Sequence, residues 1–377
     1  MVSVSESELR SWGDILSNPE KPLVERFRAL WGLKHAREDL AIDLIAEAFS
    51  SKSELLKHEL AYCLGQKANS YASKVLINVL EDLDQEPIVR HEAGEALAAI
   101  GCPDFLHILE KYSHCDNKEI AETCYIGYKR ILFFIENETD ILPNNFDTID
   151  PAPEYPINQF DISTLKNILF DDLHNIFEKY RSLFSLRRIA HSISSDAIEA
   201  LQIICDGLNY APSALFRHEV AFVLGQLANP LSVEALAASV ANVNEMGMVR
   251  HESAEALGSI GNERCQKVLK DFLSDKEQVV MESCVIALDI ATGFHSSQSS
   301  SSAPEFWLGS SNWPLIRWDS SGEDSRHLDC RNSFHASLHR SASCIGIRSG
   351  SELPMSCGSE SATDLSPGGL VEAFPFR

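Results

Sequence analysis

The chain has 377 residues, enough for one large domain or two to three ordinary ones, so a sizeable buried core is within its reach. Its 32 Lys and Arg stand against 55 Asp and Glu, a formal charge of −23 that argues against a binder of duplex DNA or of an anionic membrane, both themselves negative. A charge of this sign suits a cationic partner, or solubility alone.

Met1 to Arg10 carries Glu and Ser where a secretory leader would place a basic start and an apolar run. No later stretch stays apolar long enough to span a bilayer. Ten cysteines occur without a C-x-x-C pair, and Cys63, Cys124 and Cys284 sit inside apolar helical patterns. Buried free thiols imply a reducing compartment, and the expected location is the cytoplasm, with the nucleus as the other choice.

From about Glu8 to Asp289, Leu, Ile, Ala and Val recur at three- and four-residue spacing between Gly, Pro, Asn and Ser breaks, which predicts an all-α fold of short amphipathic helices. Glu25 to Lys34 (ERFRALWGLK) comes first. Lys57-His58-Glu59 follows, then Arg90-His91-Glu92 and Glu122-Thr123-Cys124. Leu142 to Asp161, with Pro143, Pro151, Pro153 and Pro156, cannot continue a helix and reads as an exposed linker. Beyond it the series repeats: Glu178 to Arg187 (EKYRSLFSLR), Arg217-His218-Glu219, Arg250-His251-Glu252 and Glu282-Ser283-Cys284. Past Asp289 the sequence turns to Ser and Gly, and 293–377 reads as a disordered tail in which Trp307, Trp313 and Trp318 stand without a pattern.

His58 and His91 are 33 residues apart, as are His218 and His251, and each motif recurs 160 residues later. The chain is therefore a duplication of stacked helical hairpins, an α-solenoid whose units resemble HEAT repeats. Four hairpins per half give eight in two pseudo-symmetric halves, 1–141 and 162–292, joined by the linker 142–161 and followed by the tail 293–377.

Ser53, Pro87, Ser213 and Gly247 stand four or five residues before the four histidines, as helix starters that place each His about one turn inside its helix. Adjacent helical residues project about 100° apart, so His and Glu of one motif can flank an ion lying over the groove between neighbouring helices. Two consecutive motifs, stacked about 10 Å apart, bring two imidazoles and two carboxylates together. Four His and four Glu form a mixed N/O set typical of non-haem iron and unlike a sulfur-rich zinc site. Two ions are expected, one per half, with His58, Glu59, His91, Glu92, His218, Glu219, His251 and Glu252 as candidate ligands.

A single His-Glu pair on a helix is usually solvated surface. Duplication does not, however, require a polar pair at the same helical position in only the second and third repeats of each half. Glu95 and Glu255, four residues after His91 and His251, are placed to accept an imidazole N–H, although a solvated helix glutamate is the plainer reading of either alone. Small residues three and seven positions after each His, such as Ala61, Gly65, Ala254 and Gly258, make room for a site or allow close helix packing. The bases before each His, Lys57, Arg90, Arg217 and Arg250, read as helix-face charges in preference to counter-charges for nearby carboxylates.

Four [KR]-H-E motifs in tandem pairs within eight hairpins, with the phrases KHELAYCLGQ, RHEAGEALAAIG and RHESAEALGSIG, resemble the deoxyhypusine hydroxylase family over about Glu8 to Asp289. The resemblance implies an iron-dependent monooxygenase that uses dioxygen and an external electron donor to hydroxylate the deoxyhypusine side chain of a translation factor, giving hypusine. By that pattern the ligands are His58, His91 and Glu92 with His218, His251 and Glu252, while Glu59 and Glu219 are either further ligands or substrate anchors. Carboxylates would draw in the polyamine side chain. The competing readings are a non-catalytic HEAT-repeat scaffold for a basic protein, with the His-Glu pairs as surface polarity, and a two-metal hydrolase.

Overall fold

The computed structural model describes residues 4–137, 146, 148–210 and 212–296. Beyond its first residues the expected Ser-rich tail, with its three tryptophans, lies outside them. Regular structure among the described residues is helical and falls into eight consecutive hairpins: α1 (Glu6–Ser17) with α2 (Leu23–His35), α3 (Asp39–Glu47) with α4 (Glu54–Gln66), α5 (Ser73–Glu81) with α6 (Pro87–Ile100), α7 (Leu106–Tyr112) with α8 (Lys118–Glu136), α9 (Ile162–Phe170) with α10 (Ile176–Ala190), α11 (Ala197–Gly207) with α12 (Ala214–Leu227), α13 (Val233–Ala241) with α14 (Gly247–Ile260), and α15 (Glu263–Asp271) with α16 (Gln278–Ser296). The eighth hairpin is complete, and its second helix runs past Asp289, where the sequence pattern fades.

Even-numbered helices form an inner layer in which α4, α6 and α8 stack in one half and α12, α14 and α16 in the other. The layer closes on itself, because α8 packs against α10 and α12 while α16 returns to α2 and α4. Serine caps help to set both seams. Ser53 and Ser213 accept from the backbone N–H of Leu56 and Phe216, opening α4 and α12. Their hydroxyls donate across the seams to Glu282 and Glu122, at 2.6 Å in each case. Arg28 and Asp289 add an ion pair at one seam.

A buried cation staples several hairpins. Arg26, Arg90, Lys179 and Arg250 on inner helices donate to the carbonyls of Leu16, Leu80, Leu169 and Val240, each ten residues earlier in the last turn of the preceding outer helix, where unpaired carbonyls and the helix dipole favour positive charge. This corrects the preferred reading of the bases before the histidines as helix-face charges, and three of them instead balance nearby carboxylates. Lys57, Arg90 and Arg250 are buried, Lys57 pairing with Glu86, and Arg250 with Asp275; Arg217, largely buried, pairs with Glu245 at 2.7 Å. Their aliphatic stems lie in the layer while the heads reach the turns.

The small residues after the histidines serve helix contact. A Cβ on Gly65 would fall 2.7 Å from Ala96 Cα, and one on Gly258 would fall 2.8 Å from Ala287 Cα. Gly65→Ala is expected to lower stability by about 1–3 kcal/mol, because overpacking against backbone outweighs the helix propensity gained. A denaturant midpoint at or above that of the parent would contradict this.

The linker departs from its reading as an exposed connection. Among the described linker residues Phe146, Pro151, Ala152 and Tyr155 are buried, and exposure is confined to Pro156–Gln159 and Asp161. Polar groups of four inner helices reach it. Arg187 binds the Asp150 carboxylate at 2.6 Å, Arg130 donates to the Asp150 carbonyl, Gln66 accepts from Ile149 N–H, and Gln226 donates to Thr148 Oγ1.

Candidate metal centre

The second and third hairpins of each half put their motifs on α4, α6, α12 and α14, all inner helices. Closure of the layer then brings the two halves face to face. The His58 ring centroid lies 5.5 Å from that of His91, 6.0 Å from that of His218 and 5.1 Å from that of His251. His218 lies 5.4 Å from His91 and 5.3 Å from His251. The four imidazoles thus form one cluster, of which His58 and His218 line a pocket, with Tyr62 and Phe222 meeting edge to face beside it.

These rings are inside the protein, at 0% exposure for His91 and His251 and 6% or less for His58 and His218. That burial excludes the reading of the motifs as surface polarity on a scaffold. Glu92, Glu219 and Glu252 are buried as well, whereas Glu59 is partly exposed and hydrogen-bonded by Trp31 Nε1 at 3.4 Å. Across the halves of each pair, His58 Nε2 lies 3.2 Å from Glu92 Oε2, and His218 Nε2 lies 3.4 Å from Glu252 Oε2.

Nε2 of all four histidines is buried without a hydrogen-bond partner, as are Glu219 Oε1 and Glu252 Oε1. Each such atom costs about 1–3 kcal/mol in a dry interior. A core that gathers six of them is unfavourable unless something coordinates them. Donor atoms of His58, His91 and Glu92 lie within 4.8 Å of one another, as do those of His251, Glu252 and Glu255, and those of His58, His218 and His251. The donor set therefore fits metal cations.

Other contacts orient the rings. Thr123 Oγ1 and Ser283 Oγ stand 3.5 Å from Nδ1 of His91 and His251, and the two hydroxyls are duplicates of each other. Ser283 donates to Glu255, whose carboxylate lies 3.5 Å from His251 Nδ1. Glu95, its counterpart, instead sits in the fields of Glu92, His218, Arg130 and Asp150. Thr123 and Ser283 were visible in the sequence only as part of the repeated E-[TS]-C phrase, with nothing to mark them as neighbours of the histidines.

Burial raises the carboxyl of Glu59 to about 7, helped by the nearby Glu255, and raises those of Glu92, Glu95, Glu219 and Glu252. It lowers all four imidazoles. A carboxyl raised in the folded state contributes stability that is complete below its unfolded value of about 4.3 and disappears as pH rises through the folded value. The depressed histidines contribute stability present above about pH 6.5 and lost below it. In a chelator, the melting temperature is therefore expected to rise as pH is lowered from about 8.5 to about 6.5. A melting temperature that is flat or falls over that interval would show that these carboxyls do not take up protons there.

Fold and centre together define a HEAT-repeat protein whose two halves close around a buried histidine–glutamate cluster suited to metal. The family model for HEAT repeats matches residues 40–125 and 187–289. Over 287 residues, 76% of this chain and 92% of the fly protein, the sequence is 45% identical to deoxyhypusine hydroxylase of Drosophila melanogaster. Its identity to the Homo sapiens deoxyhypusine hydroxylase is 44% over 76% of this chain and 92% of that one. The solved structure of human deoxyhypusine hydroxylase in complex with glycerol matches with a TM-score of 0.72 at 43% identity, covering 76% of this chain and 97% of that chain. The chain belongs to the deoxyhypusine hydroxylase family.

Among the described residues, the cysteines Cys63, Cys102, Cys115, Cys124, Cys205, Cys265 and Cys284 are free thiols, and no helix is long and apolar enough to cross a membrane.

Proposed function

We propose that this chain hydroxylates deoxyhypusine in a protein substrate, using two iron ions held at the four-histidine centre. His58, His91 and Glu92 hold one ion and His218, His251 and Glu252 the other, and the observation that carries this reading is the set of four buried, unpartnered Nε2 atoms on neighbouring rings. Bound iron supplies the reduction of dioxygen, in which one oxygen atom enters a substrate C–H bond and the other leaves as water, with two electrons from an external donor.

The chain's own residues do the rest. Their burial keeps the imidazoles neutral and ready to bind. Thr123 and Ser283 fix the ring orientations of His91 and His251, and Glu255 does so with Ser283. Phe27, Trp31, Ile286 and Ile290 line the approach and exclude water from it. Glu59 stands on that approach and holds an ammonium group of the substrate side chain, while Glu219, deeper and sealed from solvent, adds a carboxylate beside the second ion. The protein substrate is the deoxyhypusine form of a translation factor, and the chain works in the cytoplasm.

Metal analysis and mass spectrometry test this directly. The full chain is expected to carry about two irons and to add one oxygen atom to the deoxyhypusine protein in the presence of dioxygen and a reductant. A chain that binds no iron, or that hydrolyses an ester or phosphate instead, would sink the assignment.

A further inference from the structure

Duplication supplies two equivalent routes to the centre; the inner part of both borders the cavity, at Glu59 and Glu255 and at their duplicates Glu219 and Glu95, but among the described residues only the first is lined by it further out. On the first route the cavity runs from the histidines past Glu59 and Glu255 to Trp31 on α2 and to Ile286 and Ile290 on α16. The duplicates of Trp31, Ile286 and Ile290 are Phe184, Ile126 and Arg130. None of these lines the cavity, and Phe184 is fully buried.

What lies on the second route is the start of the linker. Asp150 is clamped by Arg187, the duplicate of Lys34, at 2.6 Å and 3.0 Å. The Arg187 guanidinium also covers the Phe146 ring at 4.4 Å and donates to Gln226 Oε1 at 2.7 Å. Gln226, which borders the cavity, donates to Thr148 at 3.0 Å, and the duplicate Gln66 accepts from Ile149 N–H at 2.9 Å. Arg130 completes the clamp at the Asp150 carbonyl, 2.9 Å away. Among the described residues the first route has no counterpart of this clamp: Ile290 replaces Arg130, and Lys34 lies over the Tyr62 ring at 5.1 Å and in the field of Glu59.

We propose that Phe146, Thr148, Ile149 and Asp150 form a built-in plug that closes the second of two duplicated entrances, so that the substrate side chain enters past Trp31, Ile286 and Ile290. The plug acts by bulk, since Arg187 and Arg130 are themselves matched by Asp150, Glu154 and Glu95, while Glu59 and Glu255 stand on the open side. Direction of entry is thereby fixed, and Glu59, not its duplicate Glu219, is the carboxylate a substrate amine meets.

The inference rests on the reading of the cavity as a deoxyhypusine site, but its test needs neither metal nor turnover. In the full chain, Ile286→Cys and Ile126→Cys place thiols at duplicated positions on the two routes. Their modification by a small cationic methanethiosulfonate is measured by mass spectrometry against the parent as baseline. Ile286→Cys is expected to react at least about tenfold faster than Ile126→Cys, the difference expected when one site needs a local opening to be reached. Adding the deoxyhypusine protein should slow the first and not the second. Phe146→Ala with Thr148→Ala, which shortens the plug but keeps the Asp150–Arg187 pair, should raise the Ile126→Cys rate alone, with circular dichroism reporting that the chain is folded. Equal rates at the two thiols in the parent background, or an Ile126→Cys rate unmoved by the shortened plug, would overturn the proposal. Iron content and hydroxylation of the parent chain, measured separately, show whether the underlying reading of the cavity stands.

Discussion

His91→Ala is expected to lower hydroxylation by about a thousandfold or more while the chain remains folded, because ligands acting as one unit lose nearly everything when one is removed. His91 is completely buried, its Nε2 has no hydrogen-bond partner, and its ring stands 5.5 Å from His58 and 5.4 Å from His218. Deleting the ring leaves a cavity worth about 2–4 kcal/mol, offset in part by the loss of one unpaired polar group. His251→Ala, its duplicate, should behave alike. Iron content, turnover and far-UV circular dichroism are read on the same preparation, and turnover within a few fold of the parent would remove His91 from the ligand set.

Arg187→Ala should cause the largest loss of stability. The side chain is fully buried and holds Asp150 at 2.6 Å, Glu154 at 3.5 Å and Gln226 at 2.7 Å, while stacking on Phe146 and Phe184. Its removal strands a nearly buried carboxylate, and breaking such a pair costs about 3–5 kcal/mol. The adjacent Arg188, 29% exposed and paired with Glu154, is the control, with an expected loss of about 0–1 kcal/mol on substitution by alanine. Urea denaturation distinguishes the two, and losses of similar size would mean that the Asp150 clamp contributes little.

These two residues mark the boundary of what the sequence reveals. His91 was legible because a polar pair interrupts an apolar helical pattern at the same place in four repeats, which packing alone does not demand. Arg187 was not, since an arginine at the end of an amphipathic helix looks like any solvated base. Its partner lies in a stretch of Pro, Asp and Asn whose composition signals exposure. Only the closed inner layer reveals that Gln66, Arg130, Arg187 and Gln226 converge on that stretch. The buried bases before the histidines were misread for the same reason, although the ten-residue spacing to the last turn of the preceding helix was present in the sequence. The small residues allowed two readings, and the approach of Gly65 to Ala96 and of Gly258 to Ala287 decides for packing.

Closure of the helical layer also constrains biosynthesis. The histidines of each half face those of the other, and the seam at α2 and α4 is sealed by Glu282 and Asp289 on the last helix described. A polypeptide emerging from the ribosome can fold its first four hairpins early, yet it presents His58 and His91 to water until the final helix has been released. Docking of the eighth hairpin and sealing of the centre are thus one event, and a chain that lacks α16 leaves the histidines of its first half open to water.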